Sequence, residues 1–270
     1  DAGDSAADSG DAVLDPVSPK GNLLIEEVFY AGSPPSGGID RYYSDQFIEL
    51  RNISDAPVQL GGLLIGDAPG LSGRINQGDQ PGGRFIADPE YVHLSSVWRI
   101  PGEPDDVLLP PGQSIVIAHD GQDHAPYSTL DLSEADYETF VDEYGEDLDS
   151  PVVENLESVW YTGGYDWLVT VFGPTIIVLS MDADDLEPTG GDAYPMEAPH
   201  SAVVDTMEAL MDAESGDYKR LDPSLDAGFV HVSGTYTGES VKRRRDADGD
   251  LIDTNDSGAD FEVGEPAPWE

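Results

Sequence analysis

The residues best suited to bind a metal ion are aspartates crowded near the end of the chain. The stretch RRRDADGDLIDTNDSGADFE, residues 243–262, places a carboxylate at nearly every second position. Carboxylate oxygens are the ligands that Ca²⁺ prefers. We therefore predict a calcium site here, and its candidate ligands are Asp246, Asp248, Asp250, Asp253 and Asp256. The alternative is a solvated acidic hairpin tip, in which aspartate side chains accept hydrogen bonds from nearby backbone amides.

The spacing in this stretch excludes an EF-hand. An EF-hand loop has glycine at its sixth position and a bidentate glutamate at its twelfth. Counting from Asp246, these positions are occupied by Leu251 and Ser257. Any calcium site in this stretch is therefore a looser clamp than a sensor loop.

A second candidate metal site is the segment HDGQDH, residues 119–124. It brings His119, Asp123 and His124 close together in sequence, and imidazole with carboxylate suits zinc or another transition metal ion. No third histidine lies nearby and no HExxH motif accompanies the segment, so a polar loop is the alternative. The sequence leaves both interpretations open.

Motifs for catalysis are missing from the chain. We find no GxSxG nucleophile motif, no phosphate-binding glycine loop and no dinucleotide fingerprint. The absence of cysteine also excludes a thiol nucleophile and disulfides. Aromatic residues clustered between Trp160 and Trp167 suit either a sugar-binding platform or a hydrophobic core. The sequence predicts that the protein is not an enzyme, and a carboxylate-dependent hydrolase is the weakest alternative.

The charge of the chain restricts its partners. There are 55 acidic and 12 basic residues, which gives a formal net charge of −43. Nucleic acids and anionic membranes are therefore excluded as unassisted partners, because they would repel the protein. Lysine is scarcer than arginine, and we interpret this composition as adaptation to high salt, where charge repulsion is screened. An ordinary acidic secreted protein is the alternative.

The basic residues are concentrated in one cluster, Lys242–Arg245. Within a chain this acidic, its partners are expected to be the chain's own carboxylates. The alternative is a contact with an acidic neighbouring subunit, since opposite charges guide association.

The elements that must position these side chains are mostly short strands. Runs such as NLLIEEVF and SIVIA are separated by glycine- and proline-rich turns, a pattern typical of a sandwich or barrel. One segment differs, because apolar residues recur at helical spacing and Ser133 with Asp136 resembles a capping box. This segment predicts a helix over 133–144.

The start of the chain predicts an exported protein with a tether. Residues 1–22 are acidic and nearly free of large apolar side chains, which predicts a flexible segment. The small apolar patch from Val13 to Val17 can dock on a sheet edge of this chain or of a neighbour. No apolar run approaches the roughly 18 residues of a membrane helix. Because the numbering begins at Asp1, we expect a processed chain, with a lipid anchor before Asp1 as one form of attachment.

Both ends of the chain resemble the lamin-tail domain, an immunoglobulin-like β-sandwich. At one end the resemblance is carried by NLLIEEVFYAGSP and DQFIELRNISDAPVQLGGLLIGD, residues 22–34 and 45–67. At the other end it is carried by SVKRRRDADGDLIDTNDSGADFEVGEPAPW, residues 240–269. The segment LLPPGQSIVIA, residues 108–118, is similar to a strand of that family entered through a proline-glycine turn.

The middle of the chain is similar to a narrower group of bacterial cell-surface proteins, many of them lipid-anchored. HDGQDHAPYSTLDLSEADYETF and VVDTMEALMDAESGDYKRLDPSLDAGF, residues 119–140 and 203–229, carry this likeness. The resemblance implies a mainly β fold, an immunoglobulin-like antiparallel β-sandwich over residues 23–270. A strand- and helix-containing insertion is expected at about 120–225, and the two ends of the domain are expected to form neighbouring strands.

For function, these observations predict a secreted or cell-surface protein that acts in assembly or adhesion and self-associates as a homo-oligomer. The alternative is a surface lipoprotein that captures a ligand beside an outer-membrane transporter.

Overall fold

The computed structural model describes residues 14–35, 44–68, 87–142, 145, 147–161, 167, 169–189 and 195–270. The strands in these ranges are β1 (Leu23–Phe29), β2 (Phe47–Asn52), β3 (Val58–Gln59), β4 (Leu64–Asp67), β5 (Tyr91–Leu94), β6 (Ser96–Arg99), β7 (Leu108–Leu109), β8 (Ser114–Ala118), β9 (Tyr137–Glu138), β10 (Glu154–Asn155), β11 (Glu157–Trp160), β12 (Thr175–Leu179), β13 (Glu187–Pro188), β14 (Met196–Pro199), β15 (Val203–Glu208), β16 (Ser240–Arg243) and β17 (Phe261–Gly264). The helical segments there are 3-10 helices at Ala183–Asp185, His200–Ala202 and Ser215–Tyr218, and a short α1 at Ser257–Asp260.

Two large sheets face each other across the main hydrophobic core. The larger has the strand order β10-β9-β8-β2-β1-β16-β17, and the smaller has the order β11-β6-β4-β12-β15. Ile48 and Leu50 of the larger sheet share one core with Trp98, Ile176 and Val178 of the smaller sheet. The protein is therefore a mainly β sandwich, which confirms the predicted fold class.

Both sheets are also covered on their outer faces. Ile177 and Leu179 point away from the main core and pack beneath the three-stranded sheet β13-β14-β5. On the larger sheet, Phe47 and Val116 pack against apolar residues that follow β8, namely Leu130, Leu132, Ala135 and Val153. Strands buried on both faces have nearly continuous apolar runs. This explains why SIVIA and TIIVL do not alternate between apolar and polar residues.

The two distant ends of the chain form neighbouring strands. In the antiparallel pair β1–β16, Val28 lies opposite Val241 and Glu27 lies opposite Lys242. Strand β17 then pairs with β16 and forms the edge of the sheet. The predicted meeting of the two ends is confirmed. Contrary to expectation, the larger sheet is not antiparallel throughout, because β9 pairs in parallel with both β8 and β10.

The helix predicted over 133–144 is wrong for the residues that the structure describes. Residues 133–142 contain turns and strand β9, while residues 143 and 144 lie outside the described ranges. The Asp136 carboxylate accepts a hydrogen bond from the backbone N–H of Val116 at 2.8 Å instead of capping a helix. Pairing with β8 and burial of Tyr137 outweigh the helical pattern, because local helix propensity is weak.

The predicted tether falls largely outside the described residues, which begin at residue 14. Val17 forms a bridge with Val58, in which its N–H donates to the Pro57 carbonyl at 2.8 Å and its carbonyl accepts from the Gln59 N–H at 3.0 Å. Val17, the last residue of the apolar patch, therefore docks on β3 of the same chain, whereas Leu14 is exposed and Val13 lies outside the described residues. In the described part of the chain, no helix is long and apolar enough to cross a bilayer.

Candidate functional site

The first three predicted calcium ligands lie in an exposed turn between β16 and β17. The Asp246 carboxylate accepts hydrogen bonds from the backbone N–H groups of Asp248 at 2.9 Å and Asp250 at 3.1 Å. Arg245 and Leu251 form a bridge that closes this turn. Here the aspartate at the start of the turn acts as a hydrogen-bond acceptor for its own backbone, as in the hairpin-tip alternative.

The remaining two predicted ligands have separate partners. Asp253 lies 3.5 Å from the guanidinium of Arg243. Asp256 caps α1, where its carboxylate accepts from the N–H groups of Gly258 and Ala259. Among the described residues, no three histidine or acidic side chains converge in a geometry that holds a metal ion. Calcium binding stays a prediction.

The residues of the HDGQDH segment are also separated. His119 is buried and its ring stacks on Trp167 at a centroid distance of 5.5 Å. His124 lies elsewhere, with Nε2 3.0 Å from the Asp120 carbonyl oxygen. The Asp123 carboxylate accepts from the N–H of Ala125 at 2.9 Å. The structure does not bring these three side chains together, and transition-metal binding stays a prediction.

The aromatic cluster is part of the core. Trp167 is only 1% exposed and lies 6.0 Å from Trp98, which also packs against Tyr161 at 6.0 Å. Trp160 is half-buried on β11, and Tyr165 lies outside the described residues. A buried stack leaves little ring surface for a sugar, so the core interpretation accounts for Trp167 and for the partly buried Trp160 and Tyr161.

The basic cluster pairs with carboxylates of the same chain. Lys242 lies 3.6 Å from Glu27, and Arg245 forms an ion pair with Glu26. The Arg244 guanidinium is 3.8 Å from Glu262 at the surface. The interpretation that this cluster meets the chain's own carboxylates is confirmed, and a contact with a neighbouring subunit stays a prediction.

An irregularity in β1 creates a charged groove on the outer face of the larger sheet. The pairing of β1 with β2 shifts register between Ile25 and Glu27. Ile25 and Val28 both enter the main core although they are three residues apart. A bulge of this kind turns the intervening residues to the same side. Glu26 and Glu27 therefore both face outwards.

The groove contains a row of charged side chains that crosses four strands. Glu27 lies between Glu49 on β2 and Lys242 on β16, and Lys242 lies opposite Glu262 on β17. Arg51, two residues beyond Glu49, forms an ion pair with Glu26. Although they are carboxylates, Glu27 and Glu49 are only 2% and 1% exposed.

Residues 265–270 cover this groove, and we call them the strap. The strap leaves β17 and runs back across the sheet to β2. The N–H of Ala267 donates to the Glu27 carboxylate at 3.1 Å, and the N–H of Trp269 donates to Glu49 at 3.3 Å. Arg51 donates to the carbonyl oxygen of Glu270 at 2.7 Å. The groove thus binds the main chain of the strap.

Burial changes the protonation of the groove carboxylates. Removal from water raises the pKa of Glu49 to about 7, and the nearby charges of Glu26 and Glu27 raise it as well. Hydrogen bonds from Ser114 and from the strap act in the opposite direction. Burial likewise raises the pKa of Glu27, although Ser240, Lys242 and Ala267 oppose the change. A charged carboxylate is costly to bury without donors. The strap supplies such donors.

A second group of buried carboxylates lies in the segment that follows β8, residues 119–150. Glu138 accepts hydrogen bonds from the N–H groups of Gly121 at 2.7 Å and Ser150 at 2.6 Å. Burial raises the pKa of Asp120 to about 8, and the neighbouring Asp147 raises it further. The Asp147 carboxylate accepts from the N–H of Val141 at 2.7 Å. These hydrogen bonds hold residues 138–150 against the end of β8.

Sequence reasoning missed the groove residues Glu27, Glu49 and Arg51. The signal was present as charged residues inside the apolar runs LLIEEVF and FIELRN. A charge in the middle of a strand that is otherwise buried requires a partner. Several of the partners, among them Lys242 and the strap, come from the other end of the chain, so their identity could not be read locally.

The sheets and their covered outer faces define a multilayered, strongly acidic β-sandwich protein with a peptide strap bound to one face. More than half of the chain, residues 110–267, matches the family described as Protein of unknown function (DUF4876), and the chain belongs to that family. No curated protein matches the chain.

The fold is also similar to a solved structure, a DUF4876 family protein from Bacteroides thetaiotaomicron VPI-5482. The TM-score is 0.75 at 24% sequence identity, and the likeness covers 89% of this chain and 70% of that chain. At this level of identity the likeness supports the fold alone.

Proposed function

We propose that this protein is a non-catalytic structural component that is exported to the cell surface and assembles there by self-association. In this proposal the sandwich is of the lamin-tail, immunoglobulin-like type that its two ends resemble. The sandwich provides a rigid body, and its outer surfaces make the contacts. A lipid anchor before Asp1 is one way of attaching the body to the cell.

The observation that carries the proposal is the use of buried acidic groups as structural ties. Glu138, Asp205 and Glu208 each accept hydrogen bonds from backbone N–H groups of distant segments. Asp226 does the same for Ser257, 31 residues later in the chain. Carboxylates bound in this way hold the fold in one rigid arrangement. In this proposal the rigid body acts through contacts made by its outer surfaces.

Analytical ultracentrifugation over a range of protein and salt concentrations tests this proposal. We expect the sedimentation coefficient to increase with protein concentration, and to do so more strongly at high salt, because salt screens the repulsion between subunits of charge −43. Electron microscopy of the associated fraction should then reveal ordered particles. A monomer at every concentration and salt level would contradict self-association.

Ligand capture at the cell surface is the second candidate function. The observation that favours it is an open pocket at one end of the sandwich, separate from the groove beneath the strap. Its volume is about 680 Å³, which is within the size range of small-molecule sites. Arg51, Arg245 and the apolar Ile53 and Leu251 contribute to its lining. Thermal melting with a panel of metal ions, glycans and peptides tests this candidate. A melting temperature unchanged by every compound would argue against it.

A further inference from the structure

The strap is hydrogen-bonded to the sandwich through its main chain. The bonded groups are the N–H groups of Ala267 and Trp269 and the carbonyl of Glu270, and no residue of the strap is fully buried. Trp269, the largest side chain of the strap, remains 40% exposed. A segment with little apolar burial opens at low cost in free energy. The strap can therefore leave its groove without unfolding the sheet.

The groove beneath the strap is adapted to peptide N–H groups. Glu27 and Glu49 lie directly opposite each other on neighbouring strands, where like charges are destabilising. Both are almost fully buried, which is costly unless hydrogen-bond donors are supplied. The sheet supplies Lys242 to Glu27 and Ser114 to Glu49, and the strap adds one N–H to each. A strap that served only to cover the sheet would not need two carboxylates beneath it. Two acceptors at this spacing instead select a peptide that offers the N–H groups of two residues separated by one, as Ala267 and Trp269 do.

The backbone of the strap is strained where it meets the groove. Trp269 has a φ of 67°, a left-handed conformation that is unfavourable for a residue with a side chain. Strain of this kind persists only where surrounding contacts impose it. The bound conformation of the strap is therefore imposed by the groove.

We propose that this groove accepts residues 265–270 of a second copy of the chain in exchange for its own strap. The inference rests on the proposed function, for which it supplies the contact. The strap leaves from β17, the edge strand of the larger sheet, and six extended residues span about 20 Å. A copy placed beside this edge is within reach. Reciprocal exchange closes a dimer, whereas exchange in one direction builds a longer chain of subunits.

The first experiment tests the groove with the variant Ala267→Pro in the full chain. Proline has no N–H, so the variant loses the hydrogen bond to Glu27 while every groove residue stays unchanged. A fluorescent synthetic peptide of residues 264–270, GEPAPWE, is titrated against it and binding is followed by anisotropy. We expect saturable binding, at least about tenfold tighter than to the unaltered protein, whose own strap competes.

Two controls define the specificity of this binding. Ala267→Gly keeps the N–H, so this variant should behave like the unaltered protein. A peptide with proline at the Ala267 position should bind at least about tenfold more weakly, because it lacks the donor to Glu27. Circular dichroism establishes whether Ala267→Pro folds. If it does not fold, a chain ending at Gly264 takes its place in the titration.

The second experiment separates this inference from the proposed function. Excess GEPAPWE is added to the associated, unaltered protein during ultracentrifugation, and we expect it to release monomers while the proline peptide does not. Association that GEPAPWE leaves intact would overturn strap exchange and preserve self-assembly. Failure of GEPAPWE to bind a folded variant would overturn the claim that the groove is a peptide-binding site. A monomer at every concentration would overturn self-association and, with it, the second copy as the occupant.

Discussion

Arg243 is the side chain that joins the two large sheets. From β16 its guanidinium donates to Asp205 on β15 at 2.6 Å and to the Ile25 carbonyl at 2.7 Å, and it lies 4.5 Å from the ring centroid of Phe261. Replacing it by methionine leaves the Asp205 carboxylate buried without its cation. We expect Arg243→Met to lower the free energy of unfolding by about 3–5 kcal/mol, measured by urea denaturation at pH 8.

Arg244→Ala is the matched control for this prediction. Arg244 is the next residue along the chain, but its partner Glu262 lies 3.8 Å away at the surface. Exposed ion pairs contribute roughly 0–1 kcal/mol. Equal losses of stability in the two variants would contradict the assigned role of the buried pair.

Single residues were the hardest features to predict from the sequence. The aspartates of the hairpin tip were recognisable because Asp246 bonds to amides within four residues of itself. Glu27 and Glu49 have partners in Lys242 and Ser114, and also in the strap, more than two hundred residues later in the chain. Local patterns contain no information on contacts of that separation.

At the scale of elements, the packing of residues 119–150 against the end of β8 depends on the side chain of Glu138. Its two carboxylate oxygens hold the N–H groups of Gly121 and Ser150. Glu138→Ala leaves both donors buried without a partner, at a cost of about 1–3 kcal/mol each. We expect lower stability and faster hydrogen exchange at these two amides. Glu134→Ala, at an exposed position nearby, should change neither. Unaltered hydrogen exchange at Gly121 and Ser150 in Glu138→Ala would contradict this role of the Glu138 carboxylate.

Strands could be predicted where apolar residues formed a continuous run, as in SIVIA of β8. The same reasoning failed for residues 133–142, since the spacing of Leu132, Tyr137 and Val141 fits both a helix and an irregular segment that buries the same residues. The parallel pairing of Tyr137 with Ile117 decided between them. Such pairing is a tertiary interaction that local periodicity cannot indicate.

At the scale of the whole molecule, the buried carboxyl groups determine how stability depends on pH. Burial raises the pKa of Glu49 and of Asp67 to about 7 and of Asp205 to about 6. Folded protein therefore binds more protons than unfolded protein between about pH 4 and pH 7, and the free energy of unfolding falls as pH rises through this window. We expect a melting temperature at least about 4 °C higher at pH 5.5 than at pH 8.5.

This pH series is measured at constant high salt, so that general charge repulsion changes little. Glu49→Gln removes one of the responsible groups and should flatten the slope. Below about pH 4 the trend should reverse, because hydrogen bonds to their carboxylates lower the pKa of Asp131 and Asp222, and these contributions to stability are lost on protonation. A melting temperature that rises from pH 5.5 to pH 8.5 would contradict the assignment.

The net charge of −43 leads to a separate prediction about salt. Repulsion among the exposed carboxylates opposes the compact state, and salt screens it over a Debye length of about 10 Å at 0.1 M and about 3 Å at 1 M. We expect the melting temperature to rise steadily with NaCl or KCl at fixed pH. Sucrose at matched osmolality is the control for general solvent effects. Full stability in dilute buffer without divalent ions would contradict adaptation to high salt.

The pairing of β1 with β16 has a consequence for how the chain matures. Val28 meets Val241, so more than two hundred further residues must be synthesised before β1 acquires its second neighbour. Contacts of such long separation close slowly. Until they close, β1 presents an open row of peptide groups to which foreign strands can add. A nascent chain interrupted before residue 240 would therefore be a seed for aggregation rather than a partly finished protein.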